Sequence, residues 1–343
     1  MGGIDLSGFL MSSGVNASLA FARMIGFSRA EVVSDKSSAR RRAPVVSPSR
    51  IALACIALCL TVATAGAQSV RQCPLSERQA AFARPAVATG FVAGNVELWH
   101  YFKKAWWSGE KAPHFFFRSD WDEDFRDQDK FGHFLGGYQL SRVGYESLQS
   151  ACVSKKKALI TSVAYAAFFQ LQIEIFDGMY KKYGFSYADM IANTAGQALE
   201  AEEQLHPHLQ WLKPTISYSQ SAAMRNRANF TGPSDLRRSL DYSGQTYWFS
   251  TDIRQLLGSR APRYWPSLLR LSAGHSITDY IDPITGASHR ARRKLLLAID
   301  LDPEALPGQN PLWKFVKHEL SYYHFPSPAL QLTPGVRGIS WYR

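Results

Sequence analysis

The stretch Asp129-Lys130-Phe131-Gly132-His133 reads as the opening of a helix, and two later stretches share its character. These are Glu174-Ile175-Phe176-Asp177 and Asp189-Met190-Ile191-Ala192-Asn193-Thr194-Ala195-Gly196. Each sets ligand-capable side chains three or four residues apart within an apolar segment of helical periodicity. That spacing puts both members of a pair on one helix face. Three such faces predict three helices around one polar centre. The connectors are short, so neighbouring helices should run antiparallel.

The first of these helices is expected over about 129–149, where Gly132, Gly136, Gly137 and Gly144 would let a neighbouring backbone approach. Ser154 is placed to cap the second, which runs through Ala158 to about Lys182 and stops at Gly184. Gln170, Glu174 and Asp177 form one polar stripe on it. Ser186-Tyr187-Ala188-Asp189 is a capping box that opens the third helix, from about Tyr187 to Leu205, closed by His206-Pro207.

Upstream, Ala80 to Trp107 predicts a fourth helix with a Gly90-x-x-x-Gly94 step and an aromatic end at Trp99 to Trp107. It reads as a packed helix whose aromatic end meets either the core or a membrane surface. The connector 109–128 is rich in aromatic residues, as a covering loop would be, and acidic before the next helix.

After Pro214 the texture changes. Thr246 to Ser250, Leu268 to Ser272, Lys294 to Asp300, Ala329 to Leu332 and Gly338 to Tyr342 alternate like strands. Ser250 to Leu257 and Pro311 to Tyr322 look helical, and Ser217 to Asp241 reads as a mobile crossing. The expected fold is therefore α+β, a core of about four helices followed by a strand-containing C-terminal region. The expected divisions are a leader and signal peptide over 1–67, a helical motif domain over 68–212, and a strand-bearing region over 213–343.

The first 67 residues differ from the rest. Arg40-Arg41-Arg42 precedes an apolar run, Ile51 to Ala63, and Thr64-Ala65-Gly66-Ala67-Gln68 follows it. A basic flank, a short apolar run and Ala-x-Ala form a secretory signal with cleavage after Ala67. The run is shorter than the ~20 residues needed to span a bilayer. None of the cysteines has the residues of a lipoprotein cleavage site before it, so no lipid anchor is expected. Removal of the leader leaves Cys73 and Cys152, which in an oxidising compartment are either a disulfide pair or two buried thiols. The leader carries 7 Lys/Arg and 3 Asp/Glu, which leaves 32 against 25 in the remainder, a net charge of +7. That mild basicity suits an anionic envelope and gives no support to nucleic-acid binding.

Asp129 and His133 offer a carboxylate and an imidazole, Glu174 and Asp177 two more carboxylates, and Asp189 and Asn193 further oxygens. One nitrogen among several oxygens suits a divalent metal ion such as magnesium, manganese, calcium or a nitrogen-poor zinc site. The di-iron bundle pattern is absent, because neither Glu is followed by His three residues on. Each residue also has an ordinary role, as a cap, a first-turn acid or a satisfied core histidine. Buried carboxylates on three helices are nonetheless costly without shared partners. No nucleophile elbow, phosphate loop, dinucleotide fingerprint or zinc-protease motif is present. His275 and Asp279 read as an isolated surface pair.

Asp129-Lys130-x-x-His133, Glu174-x-x-Asp177-Gly178, and Phe185-Ser186 leading to Asp189 and Asn193-x-x-Gly196 together resemble the exported family called domain of unknown function 2279, described as predicted periplasmic lipoproteins. The resemblance covers Trp106 to Leu205. A more distant similarity is to VanZ-like proteins, whose comparable motif lies in membrane helices. The resemblance implies export to the periplasm or outer-membrane association, and it marks Asp129, Lys130, His133, Glu174, Asp177, Asp189, Asn193 and Gly196 as motif positions. It implies no reaction.

Two readings follow. In the first, the cluster is structural or holds a ligand or lipid headgroup, with Lys130, Asn193 and Gly196 among its parts, and the protein works at an envelope membrane surface. In the second, the protein is a metal-assisted hydrolase of envelope lipid or cell-wall intermediates. There Asp129, His133, Glu174 and Asp177 hold the ion, and His133 and Asp189 are the catalytic pair.

Overall fold

Ser76 stops the incoming chain in an extended conformation and starts a helix. Its hydroxyl accepts from the Gln79 N–H, while the Gln79 side chain accepts from the Ser76 N–H. The helix is α1 (Glu77–Ala105), with Glu77 in its first turn and Lys103 and Lys104 in its last, each complementing the helix dipole. This computed structural model describes residues 73, 75–107, 109–226, 241–261, 264–282, 284–285 and 287–342. The leader, its cleavage site and residues 227–240 of the expected crossing lie outside them.

The motif helices are α2 (Gln128–Ser150), α3 (Lys155–Asp177) and α4 (Tyr187–Leu205). Between α1 and α2, β1 (Phe117–Arg118) pairs in parallel with β2 (Phe185–Ser186), which leads into α4. The helix α3 ends at Asp177, earlier than the periodicity implies, because the chain turns at Gly178, where a Cβ would overlap the Phe115 ring. Ser154 precedes α3 without a side-chain cap bond. Ser186 does cap α4, accepting from the Asp189 N–H at 3.0 Å, but the return bond comes from elsewhere. Glu174 of α3, not Asp189, accepts from the Ser186 N–H at 3.2 Å.

Glycine sets the spacing of α2 and α4. A Cβ on Gly196 would lie on the Phe134 carbonyl, and one on Gly137 would lie on the Asn193 carbonyl, so the two helices approach backbone to backbone. Tyr145, Leu148, Ala158, Leu159, Val163 and Ala201 form the apolar core of the three helices. Against this core α1 packs by aromatic rings, Phe91 on Tyr165 at 4.8 Å and Phe102 on Phe169 at 5.9 Å. Its Gly90-x-x-x-Gly94 step faces open space. A disulfide joins Cys73 to Cys152 with Cα atoms 5.5 Å apart, tying the start of α1 to the end of α2.

The C-terminal region is a six-stranded antiparallel sheet in sequential order. Its strands are β3 (Leu212–Tyr218), β4 (Gln245–Thr251), β5 (Leu269–Ile277), β6 (Arg293–Leu301), β7 (Ser327–Gln331) and β8 (Arg337–Tyr342). Short helices α5 (Ala222–Arg225) and α6 (Ile253–Leu257), and the longer α7 (Pro311–Leu320), lie among them. The α+β expectation describes this architecture. Pattern reading did not place β3, because Pro214 interrupts it. The proline is tolerated because β3 is the sheet's edge. The segment after α7 covers that edge, with the Ile216 N–H donating to the Tyr322 carbonyl and the His324 N–H to the Ile216 carbonyl.

The sheet curls round its own small core. Trp248 meets Leu296, Ala298 and Ala329, and its ring meets Tyr342 of β8 edge-on at 5.6 Å. The other face of β4 and β5 receives α2. Phe131 stacks on His275 at 4.3 Å, Phe134 meets Phe249, and Gln128 spans the join, donating to the Gln245 carbonyl and meeting His275 Nδ1 at 2.8 Å. His275 is thus a buried interface residue, in contrast to the surface pair that its spacing with Asp279 indicated.

Two predictions follow from this packing. Gly196→Ala should cost about 1–3 kcal/mol in denaturant melts, because only backbone can yield. Gly90→Ala, in open space, should gain up to about 1 kcal/mol. The second concerns Glu200 and Glu203 at the α2–α4 contact. Burial, then the charge of Glu203, pushes Glu200 up to about 8, and burial raises Glu203 to about 7. Both folded values exceed the ordinary carboxylate value, so this stabilisation is present below about pH 4.5 and is lost as pH rises through 7 and 8. The loss should be on the order of 4 kcal/mol between pH 6 and 9, and Glu200→Gln should remove the larger part of it in chemical denaturation across that range.

Candidate functional site

Lys130 enters from the first turn of α2 and is almost wholly buried. Its ammonium lies 2.7 Å from Asp120 Oδ2, 2.8 Å from Asp129 Oδ2 and 2.9 Å from Asp189 Oδ1. The three carboxylates belong to the loop after β1, to α2 and to α4. Ser186, the α4 cap, donates from its hydroxyl to Asp120 Oδ1 at 2.6 Å. One cation therefore fastens three chain segments. Against the cost of burial, the three carboxylates raise the Lys130 ammonium above its ordinary value, and it stays charged.

One helical turn on, His133 forms the centre of a second group. Its Nδ1 lies 3.0 Å from Asn193 Oδ1 and 3.6 Å from Glu174 Oε1, and its Nε2 lies 3.7 Å from Asp189 Oδ1. Gln170 orders the back of this group by donating to the His133 carbonyl at 3.0 Å and to Asn193 Oδ1, while Gln197 donates to Gln170 Oε1 at 2.7 Å. Glu174 is fully buried, and among the described residues neither its Oε1 nor the Asn193 Nδ2 has a hydrogen-bond partner. Asp189 belongs to both groups.

The carboxyl groups are driven apart in acidity. Burial, then the charge of Asp189, raises Asp129 to about 6. Burial also lifts Glu174 well above its ordinary range and Asp177 to about 6, although Trp107 donates to Asp177 from its indole N–H at 2.6 Å. Asp189 moves the other way. Burial opposes its charge, but His133 and Lys130 outweigh that and hold it below the usual carboxylate range. Burial likewise opposes the imidazolium of His133, yet Asp189, Glu174 and Asp129 push it up to about 9.

His133, Asp129, Asp177 and Asp189 line a cavity of about 1260 Å³ between the helices and the sheet. Its opposite walls are aromatic, with Trp106 and Trp107 after α1, Phe125 stacked on Tyr242 at 5.2 Å, and Tyr247 and Tyr280 from the sheet region. Arg118, Lys182 and Arg290 also line it. Arg118 and Arg290 already hold acidic partners, Glu123 and Asp122.

The structure therefore brings the predicted polar positions together in two groups: Asp129, Lys130 and Asp189, and then His133, Glu174, Asn193 and again Asp189. Asp177 stands on the cavity wall, and Gly196 serves the α2–α4 approach. Ligating atoms of His133, Glu174 and Asp189 lie within 4.8 Å of one another, as a metal ion would require. Asp120, Asp129 and Asp189 satisfy the same spacing, but the Lys130 ammonium occupies their centre. Sequence reasoning missed Asp120 and Trp107 as parts of the site, and it read Ser186 as the cap of the third helix without its bond to Asp120. Only the crowding of acidic residues before α2 hinted at Asp120.

Residues 122–202 match a family model whose description is "Predicted periplasmic lipoprotein (DUF2279)". The matched stretch covers α2, α3 and most of α4, and the description supports an exported, periplasmic location. The similarity to VanZ-like proteins has no counterpart in these matches. No curated protein and no solved structure matches the chain.

Proposed function

We propose that this is an exported binding protein whose cavity takes a ligand bearing a positive charge, an ammonium-containing envelope molecule or lipid headgroup being the chemistry that fits. The observation that carries this reading is the charge balance at the cavity's polar end. Five carboxylates, Asp120, Asp129, Glu174, Asp177 and Asp189, face two cations, Lys130 and His133. Lys130 is consumed in fixing the helices. Burial disfavours the charged forms of Asp129, Glu174 and Asp177, so the surplus negative charge is costly there and a bound cation would offset it. Aromatic walls add the second ingredient of cation recognition, because ring faces attract a desolvated cation. His133, held between Glu174 and Asp189, orients the acids.

One observation favours a second reading, the metal-assisted hydrolase. His133, Glu174 and Asp189 present three ligand atoms within 4.8 Å. An ion there would have to displace the imidazolium proton of His133. It would leave Asp129 with Lys130 and Asp177 on the cavity wall, so the ion's ligands would be His133, Glu174 and Asp189 rather than the four residues expected from the sequence.

Thermal-shift and calorimetric titrations separate the two, with ethanolamine, choline and spermidine as ammonium probes and zinc, manganese and magnesium as metals. The binding reading expects an ammonium probe to bind, tenfold or more weakly in Asp177→Asn, because a charge-assisted contact becomes neutral. Stoichiometric metal uptake lost in His133→Ala, with no ammonium binding, would overturn it in favour of the hydrolase. Stability distinguishes the roles within the cluster. Lys130→Met should cost about 3–5 kcal/mol, since it leaves buried carboxylates unpaired. Glu174→Gln should leave the melting temperature nearly unchanged, and a severe loss there would make the whole cluster structural.

A further inference from the structure

The helix α3 carries an exposed stripe that no other part of the cluster chemistry uses. Thr161, Ala164, Phe168, Leu171 and Ile175 recur at helical spacing, with Phe168 59%, Leu171 38% and Ile175 37% exposed. No charge falls between Lys157 and Glu174. The stripe is about 21 Å long at the rise of an α-helix. At its far end Phe115 packs over Gly178, with Phe117 5.3 Å from it; both rings are exposed and extend the apolar surface.

Lysines bracket this surface. Lys155, Lys156 and Lys157 are exposed in the first turn of α3, and Lys157 falls on the stripe itself. Past the other end Lys181 and Lys182 are also exposed, but Lys181 is paired with Glu110 and Lys182 lines the cavity. An apolar strip with aromatic rings at one end and a cluster of three ammonium groups at the other matches the layering of a bilayer interface, where rings sit at headgroup level and lysines reach phosphates. By length and composition α3 could cross a membrane. Its inner side, however, includes the buried Gln170 and Glu174, which bind α2 and the start of α4, so the helix can meet lipid only from its outer side.

We propose that the outer stripe of α3 docks flat on an anionic lipid surface, with Lys155, Lys156 and Lys157 paired to headgroup phosphates. This rests on no assumption about the cavity. A second copy of the chain would have to place like-charged lysine clusters opposite its own or bury them unpaired, and so fits the surface less well.

The test is sedimentation of the full chain with vesicles of phosphatidylcholine, alone or with 30% phosphatidylglycerol as a working composition of roughly physiological anionic content. Binding is expected to the anionic vesicles only, and to weaken as salt rises. Replacing Lys155, Lys156 and Lys157 by Gln should weaken it on the order of a hundredfold, at about fivefold per lysine. Phe168→Gln with Leu171→Gln should weaken it about tenfold or more. The leader is the same in every variant, so these differences report the stripe alone. Leu297→Gln with Leu330→Gln, on the exposed outer face of the sheet, should leave binding unchanged. Equal loss in that control would show general stickiness and overturn the proposal. So would absence of binding, equal binding to neutral vesicles, or a concentration-dependent dimer that the Phe168 and Leu171 substitutions dissolve.

Discussion

A single ammonium group, that of Lys130, is the constraint on which the helical half of this protein depends. It lies out of water among Asp120, Asp129 and Asp189, each within 2.9 Å. A charge so placed is tolerable only when every partner is present, and the partners come from three separate segments. The arrangement therefore works less as added stability than as a specification of geometry. Loop, α2 and α4 have to arrive together, and the α4 cap residue Ser186 is bound into the same assembly through Asp120.

Glycine makes that geometry possible. At Gly137 and Gly196 the backbones of α2 and α4 come close enough for short side chains such as Asp189 and Asn193 to reach α2 directly. Longer acids would have to fold back on themselves there. The cavity then follows from the other side of α2, where Phe131 and Phe134 fasten the sheet and leave His133, between them on the helix, turned to the polar end.

Much of this could be read from the chain. The spacing of Asp129 with His133, of Glu174 with Asp177 and of Asp189 with Asn193 pointed to three helix faces that meet, and the alternating segments after Pro214 marked five of the six strands. What pattern reading could not supply was partner choice. Asp189 looked like the return half of a capping box, yet its carboxylate lies 2.9 Å from the Lys130 ammonium, and Glu174 takes the Ser186 N–H instead. Asp120 and Trp107 sit in connecting segments, where no periodicity announces a side chain's direction. His275 sits on a strand whose second face is covered by a helix from 147 residues earlier in the chain, which local alternation cannot reveal. The strand β3 was hidden by Pro214, whose missing donor only an edge position can absorb.

Asp189 offers one oxygen, Oδ1, to two neighbours, the Lys130 ammonium at 2.9 Å and the His133 ring at 3.7 Å. The anchor and the cavity therefore share an atom. A substitution at any of the three positions changes the electrostatic setting of the other two, and its effect cannot be assigned to one of them alone. Lys130, His133 and Asp189 thus form one electrostatic unit. Any redesign of the cavity's chemistry at His133 therefore reaches the fastening of its helices through that shared oxygen.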